Sequence, residues 1–279
     1  MLYSSPIFGK IDMLLLPAIL GGDSVLLFGN LIMIVTFILT VPRMHMLQTI
    51  LKISSRLPSE SYEKLSRLIH AKDIIGILYV VGFVFICALT LQINLWFEMY
   101  INLVTFQLDM LYMNCVCVVK ACFKEIDDNL TNMRQFIANN KSHVPNNATC
   151  VELNYHYQRN QFLIMDLKAL RKQHLAISDT VQMLNMIFSL QLLATVIMTF
   201  SNITFNLYYI LSWEHLSRNM LTNGLYDAHH LLYTMYLFMK IVLIVWACET
   251  GKNQAQQIST SIHNMFNSTT DKQIKNEVI

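Results

Sequence analysis

Five stretches of the chain are apolar for about the twenty residues a helix needs to cross hydrocarbon, where every backbone polar group must be satisfied within the segment. Residues 24–41 (SVLLFGNLIMIVTFILTV) and 74–93 (IIGILYVVGFVFICALTLQI) carry no charge. Residues 95–119 are apolar apart from Glu98 and Asp109, residues 187–210 are uncharged, and residues 230–248 contain only Lys240. The pattern predicts five membrane-spanning helices. Residues 11–20 read as the end of an external loop or as an interfacial segment; a signal-peptide core is the other reading, but Asp12 interrupts its start.

Between the spans the periodicity stays helical. Residues 120–186 read as two helices around the turn-rich loop NNKSHVPNN at 139–147. The first continues out of the third span and the second enters the fourth without a helix breaker. Leu163, Leu167, Leu170 and Leu175 predict a buried stripe on that second helix. Ile258, Ile262, Met265 and Phe266 predict another helix after the fifth span. The chain thus divides into an external segment 1–23, three spans over 24–119 with an internal loop 42–73, a cytoplasmic helical segment 120–186, two spans over 187–248 with an external loop 211–229, and a cytoplasmic helical tail 249–279. The fold class is all-α, a polytopic helical bundle whose long helices extend into a cytoplasmic anchor domain.

Composition agrees. Over 279 residues, 54% are hydrophobic and only 14% charged, where a soluble domain has about a quarter charged. An ordinary cytosolic enzyme and a nucleic-acid binder are excluded. The net charge of +2 conceals a sorting that fixes orientation. Segments 42–73, 120–186 and 249–279 hold six, eight and three Lys or Arg, whereas the alternate segments hold only Lys10 and Arg218. Basic residues stay inside, so the N-terminus is expected outside and the C-terminus inside. The six cysteines lie in spans or cytoplasmic segments, where no disulfide is expected. Small apolar residues at a helix end or palmitoylation account for those near the membrane edge.

No phosphate loop, zinc-protease helix or nucleophile elbow occurs, and the adjacent His229 and His230 point about 100° apart on a helix, a poor geometry for a shared metal. No enzymatic activity, metal or cofactor is expected. The polar residues inside the spans are more informative, because they are costly unless they face protein or water. Glu98, Asn102, Thr105 and Asp109 share one helical face; Asn202, Phe205, Asn206 and Tyr209 share another; His229, Tyr233, Tyr236 and Lys240 share a third. These twelve are the candidate ligand-binding residues of an outward-opening pocket. An aromatic belt with polar interhelical contacts is the alternative reading. Asp109 and Lys240 differ in depth by only about 6 Å, so an ion pair between them is one candidate contact.

The runs HLAISDTVQMLNMIFSLQLL at 174–193 and FNLYYILSW at 205–213 resemble the insect gustatory receptors, which carry an L-N-x-x-F/Y-S-L-Q run entering the fifth span and an F-x-L-Y-Y exit. IVWACETGKNQAQQISTSIHNMF at 244–266 resembles the stretch after that family's sixth span, and DKQIKNEVI at 271–279 the approach to its seventh. The resemblance implies a seven-helix taste receptor at the plasma membrane, related to insect odorant receptors, with its N-terminus inside. It implies a ligand-gated cation channel, a homo- or hetero-tetramer with receptor subunits joined through the cytoplasmic helices, and a small-molecule tastant, a sugar or bitter compound, bound in the outer half of the bundle. The T-Y-x-x-x-x-x-Q-F signature of the family's pore helix does not occur, so the chain is expected to lack the family's first and last spans, and no pore residue is assigned. A non-functional truncated fragment and a small transporter subunit using Asp109 and Lys240 are the alternatives; a G-protein-coupled receptor lacks support, since neither D-R-Y nor N-P-x-x-Y is present.

Overall fold

The computed structural model describes residues 6–89, 95–141, 150–213 and 220–268, and every element in them is a helix. In order these are α1 (Pro6–Ile38), α2 (Thr40–Ser54), α3 (Ser59–Leu89), α4 (Leu95–Lys141), α5 (Cys150–Trp213) and α6 (Met220–Ser268). Among the described residues, three helical stretches are long and apolar enough to cross a membrane: Met99–Ile137, Gln161–Tyr208 and His230–Phe266. A fourth arises if Gly22–Ile38 and Thr40–Ser54, bent by 67°, count as one span. The protein is a helical membrane bundle. The expected second span, 74–93, is helical as far as Leu89 and then leaves the described residues.

The bend has a local cause. Pro42 has no N–H to offer the Ile38 carbonyl and disfavours a helical conformation at Val41. The ladder therefore breaks at the end of the first apolar run, and the chain continues as α2 with Arg43 N–H on the Leu39 carbonyl at 2.9 Å. The first span ends at Ile38 rather than Val41.

Helix also replaces most of the expected loops. The segment 42–73 is a helical hairpin. α2 closes on i→i+3 bonds from Arg56 and Leu57, and α3 opens with Glu60 in its first turn, held to Lys64 one turn on at 2.7 Å. Residues 211–229 shrink likewise, since α6 already starts at Met220. Residues 6–23 belong to α1 and not to a loop. The helices expected at either side of 139–147 and after the fifth span are the ends of α4, α5 and α6. At 1.5 Å per residue the 64 residues of α5 would extend about 95 Å, some three times the hydrocarbon thickness.

The chain folds into two compact units. The first comprises Met1–His45, Ser66–Asn114 and Asn185–Trp246, the second Met46–Leu65, Cys115–Leu184 and Ala247–Ile279. In the first, Val25, Ile101 and Met198 form a core joined by Leu26, Phe28 and Met33. α1 approaches α4 so closely that a Cβ at Gly29 would overlap Ile101 Cγ2. Gly76 of α3 likewise lies where a Cβ would meet Phe106 and Met110 of α4. The second unit has a core with Phe123, Ile126, Leu163, Leu167, Ile177, Ile258 and Met265 at its centre.

The predicted stripe on α5 holds at Leu163 and Leu167, which are buried, and at Leu170, which packs against the same core. Leu175 does not join it and is 55% exposed. Twelve residues beyond Leu163 is about 120° round the helix. His174, whose ring lies 5.8 Å from Phe123, and the buried Ile177 take up the stripe instead. Ile258 and Met265 are buried as expected, with Ile262 packed beside them.

Candidate functional site: a polar seam and an aromatic cavity

The first unit brings together residues from all three predicted polar faces. On α4, Asn102, Thr105 and Asp109 are buried, at spacings of three and four that keep one face inward. Thr105 Oγ1 returns its hydrogen to the Ile101 carbonyl at 2.8 Å. On α6, Tyr236 and Lys240 are buried and Tyr233 is half-buried. On α5, Asn202 is buried and its amide donates to the Met198 carbonyl at 2.8 Å; Phe205 and Asn206 are half-buried. The side chains of Glu98, Tyr209 and His229 lie outside the described residues.

At the centre of this seam Lys240 Nζ stands 2.8 Å from Asp109 Oδ2, with the side chains 3% and 1% exposed. The candidate ion pair is present. Thr195 Oγ1 of α5 donates to Asp109 Oδ1 at 3.5 Å, so one carboxylate joins three helices. Desolvation makes such a pair tolerable only while both charges stay together.

Two further contacts join the faces. Asn206 Oδ1 lies 2.8 Å from His230 Nδ1, between α5 and α6. The Tyr233 hydroxyl donates to Asn102 Oδ1 at 3.5 Å, between α6 and α4. Above these polar contacts runs an aromatic stack. Tyr236 lies 5.6 Å from Tyr79 at an interplanar angle of 16° and 6.3 Å from Tyr233 at 24°, and its other ring neighbour is Phe106 at 6.1 Å. The Tyr79 hydroxyl donates to the Leu232 carbonyl.

Beside this stack is a cavity of about 250 Å³. Tyr79, Val80 and Val84 of α3, Asn102 and Leu103 of α4 and Tyr236 of α6 line it, with Met99 and Tyr100. The predicted residues therefore divide. Asn102 and Tyr236 face the cavity; Asp109 and Lys240 form the buried pair; Asn206 meets His230; and Asn202 is turned to its own helix.

Sequence reading missed Arg43, Gln191, Thr195 and Tyr79. Arg43 stands in an expected internal loop, yet it is buried, donating from Nη2 to Gln191 Oε1 at 2.9 Å with its guanidinium 4.9 Å above the Phe188 ring. Phe188 and Gln191 belong to the LNMIFSLQ run at 184–191. The signal was available on α5, since Gln191, Thr195 and Asn202 extend its polar face back along the helix at near-helical spacing. Nothing local to Arg43 or Tyr79 marks their roles.

A bundle of apolar helices, sealed around a buried ion pair and opening an aromatic cavity beside it, defines a polytopic membrane protein with a small-molecule-sized recess. The 7tm chemosensory receptor family matches residues 24–279, and the chain belongs to that family. No curated protein matches the chain.

Proposed function

We propose that this chain is a taste receptor of the plasma membrane that recognises a small tastant in the cavity between α3, α4 and α6. Its chemoreceptor family is shown by the match over residues 24–279. The carrying observation for the site is the cavity itself, where three helices present tyrosine and aliphatic walls and the single amide of Asn102. A recess of about 250 Å³ lies just below the usual ligand-pocket range of ~300–1,000 Å³. It suits an uncharged, ring-bearing molecule whose one polar group meets Asn102, with Tyr79 and Tyr236 offering ring faces. In this reading the Asp109–Lys240 pair holds α4 against α6 so that the walls keep their spacing. Assembly with receptor subunits through the helices of the second unit, and opening of a cation pathway when the ligand binds, complete the proposal.

Calcium imaging in cells that co-express the chain with partner subunits and face a panel of aromatic bitter compounds and sugars tests it. Asn102→Ala and Tyr236→Ala are expected to raise the half-activating concentration of an aromatic agonist about tenfold, the loss of one good contact, while Tyr62→Ser, an exposed site elsewhere, leaves it unchanged. Agonist responses that both cavity variants preserve at equal surface expression count against this site.

A further inference from the structure

The second unit holds a cavity of its own, with a different chemistry. It measures about 180 Å³, more than the ~150 Å³ apolar cavity that accepts a benzene ring. Its walls include Ile126, Leu130, Leu167, Ile258 and Met265, all of them buried core residues. The polar side chains in its lining are Arg171 and His174, both on α5. Arg171 and Leu175 are exposed and His174 half-buried, so an apolar interior reaches solvent beside two basic groups and a leucine. No carboxylate lines the cavity, and the nearby Asp127 of α4 already accepts the Ser261 hydroxyl of α6.

We propose that this cavity binds a medium-chain fatty acid, its chain among Leu130, Leu167 and Met265 and its carboxylate on the Arg171 guanidinium. Charge complementarity selects that occupant. A neutral alkane or alcohol leaves the guanidinium without a counter-charge, whereas a carboxylate takes two parallel N–H donors from it. The apolar walls exclude a polyanion such as a nucleotide, because burying its charges there costs several kcal/mol for each. A volume of about 180 Å³ suits a chain of about octanoate to decanoate length. This assignment does not rest on the tastant reading, since the two cavities share no residue.

The test uses the full chain in nanodiscs of neutral phosphatidylcholine with a diazirine analogue of decanoic acid, cross-linked by light and mapped by peptide mass spectrometry. Labelling is expected on the α4, α5 and α6 segments around Leu130, Leu167 and Met265, with decanoate competing and decanol not. Arg171→Gln, at an exposed position that folding does not need, should lower the labelling about tenfold, and Arg171→Lys should keep most of it. Leu167→Trp, which fills the cavity, should abolish it. Equal competition by decanol, or labelling that Arg171→Gln leaves intact, overturns the proposal. So does a change in oligomeric size with Leu167→Trp when the wild-type chain takes up no label, which would make the cavity a contact between copies.

Discussion

Asp109 and Lys240 are each almost sealed from solvent and stand 2.8 Å apart. Removing either leaves an uncompensated charge in the bundle, so Asp109→Asn and Lys240→Met should each cost about 3–5 kcal/mol. The double variant is expected to recover most of that loss. Thermal unfolding of the purified chain in detergent, with surface expression in parallel, checks this; equal stability of all three variants would refute the pairing. Gly29 poses a steric question instead. Its missing Cβ would overlap Ile101 Cγ2, a stiff branch close to the backbone. Gly29→Ala should therefore destabilise by about 1–3 kcal/mol, and Ile101→Ala should cost less in the Gly29→Ala background than alone; additive melting shifts would contradict the close approach. Of these features, the ion pair was readable from depth and helical face, because both charges interrupt otherwise apolar runs. The role of Gly29 was not, since a lone glycine in an apolar helix looks the same whatever it packs against.

The elements test how far periodicity reaches. α5 runs unbroken over 64 residues, and its sequence lacks any breaker between Cys150 and Trp213. The stripe on it separates the buried Leu167 from the exposed Leu175 about two turns on. Leu167→Ala should cost about 2–4 kcal/mol, a truncation in a packed core, while Leu175→Ala should stay within about 0.5 kcal/mol. Denaturant or thermal melts of the two variants compare them directly, and an equal loss at both positions would disprove the register. Leu175 was misread because leucine is apolar wherever it stands, while only the cumulative 100° step decides which face it occupies. The 67° bend between Gly22–Ile38 and Thr40–Ser54 was half legible. Pro42 marks the break, but the direction in which α2 departs, carrying Arg43 to Gln191 and Phe188, depends on what it packs against.

For the molecule as a whole, the sorting of basic residues places segments 42–73, 120–186 and 249–279 on the cytoplasmic side in the arrangement proposed here. Sequons at Asn129, Asn140, Asn147 and Asn267 fall in those segments, and the one at Asn202 falls in an apolar run. None should carry glycan when the chain is expressed in secretory-competent cells, so glycosidase treatment should leave its gel mobility unchanged; a shift lost in Asn147→Gln would invert the topology. The amino-acid sequence by itself determined that the chain is helical and membrane-embedded, because hydrocarbon leaves an apolar segment of this length almost no other way to satisfy its backbone. It also determined which polar residues share a face, since that follows from 3.6 residues per turn. Apart from the Asp109–Lys240 contact, which depth made readable, which faces meet was decided by tertiary structure. Asn206 with His230, Asn102 with Tyr233, Arg43 with Gln191, and the stacking of Tyr79 on Tyr236 join residues 24 to 157 positions apart in the chain. Helical periodicity fixes directions within one helix and carries no information about which neighbour stands there; packing does.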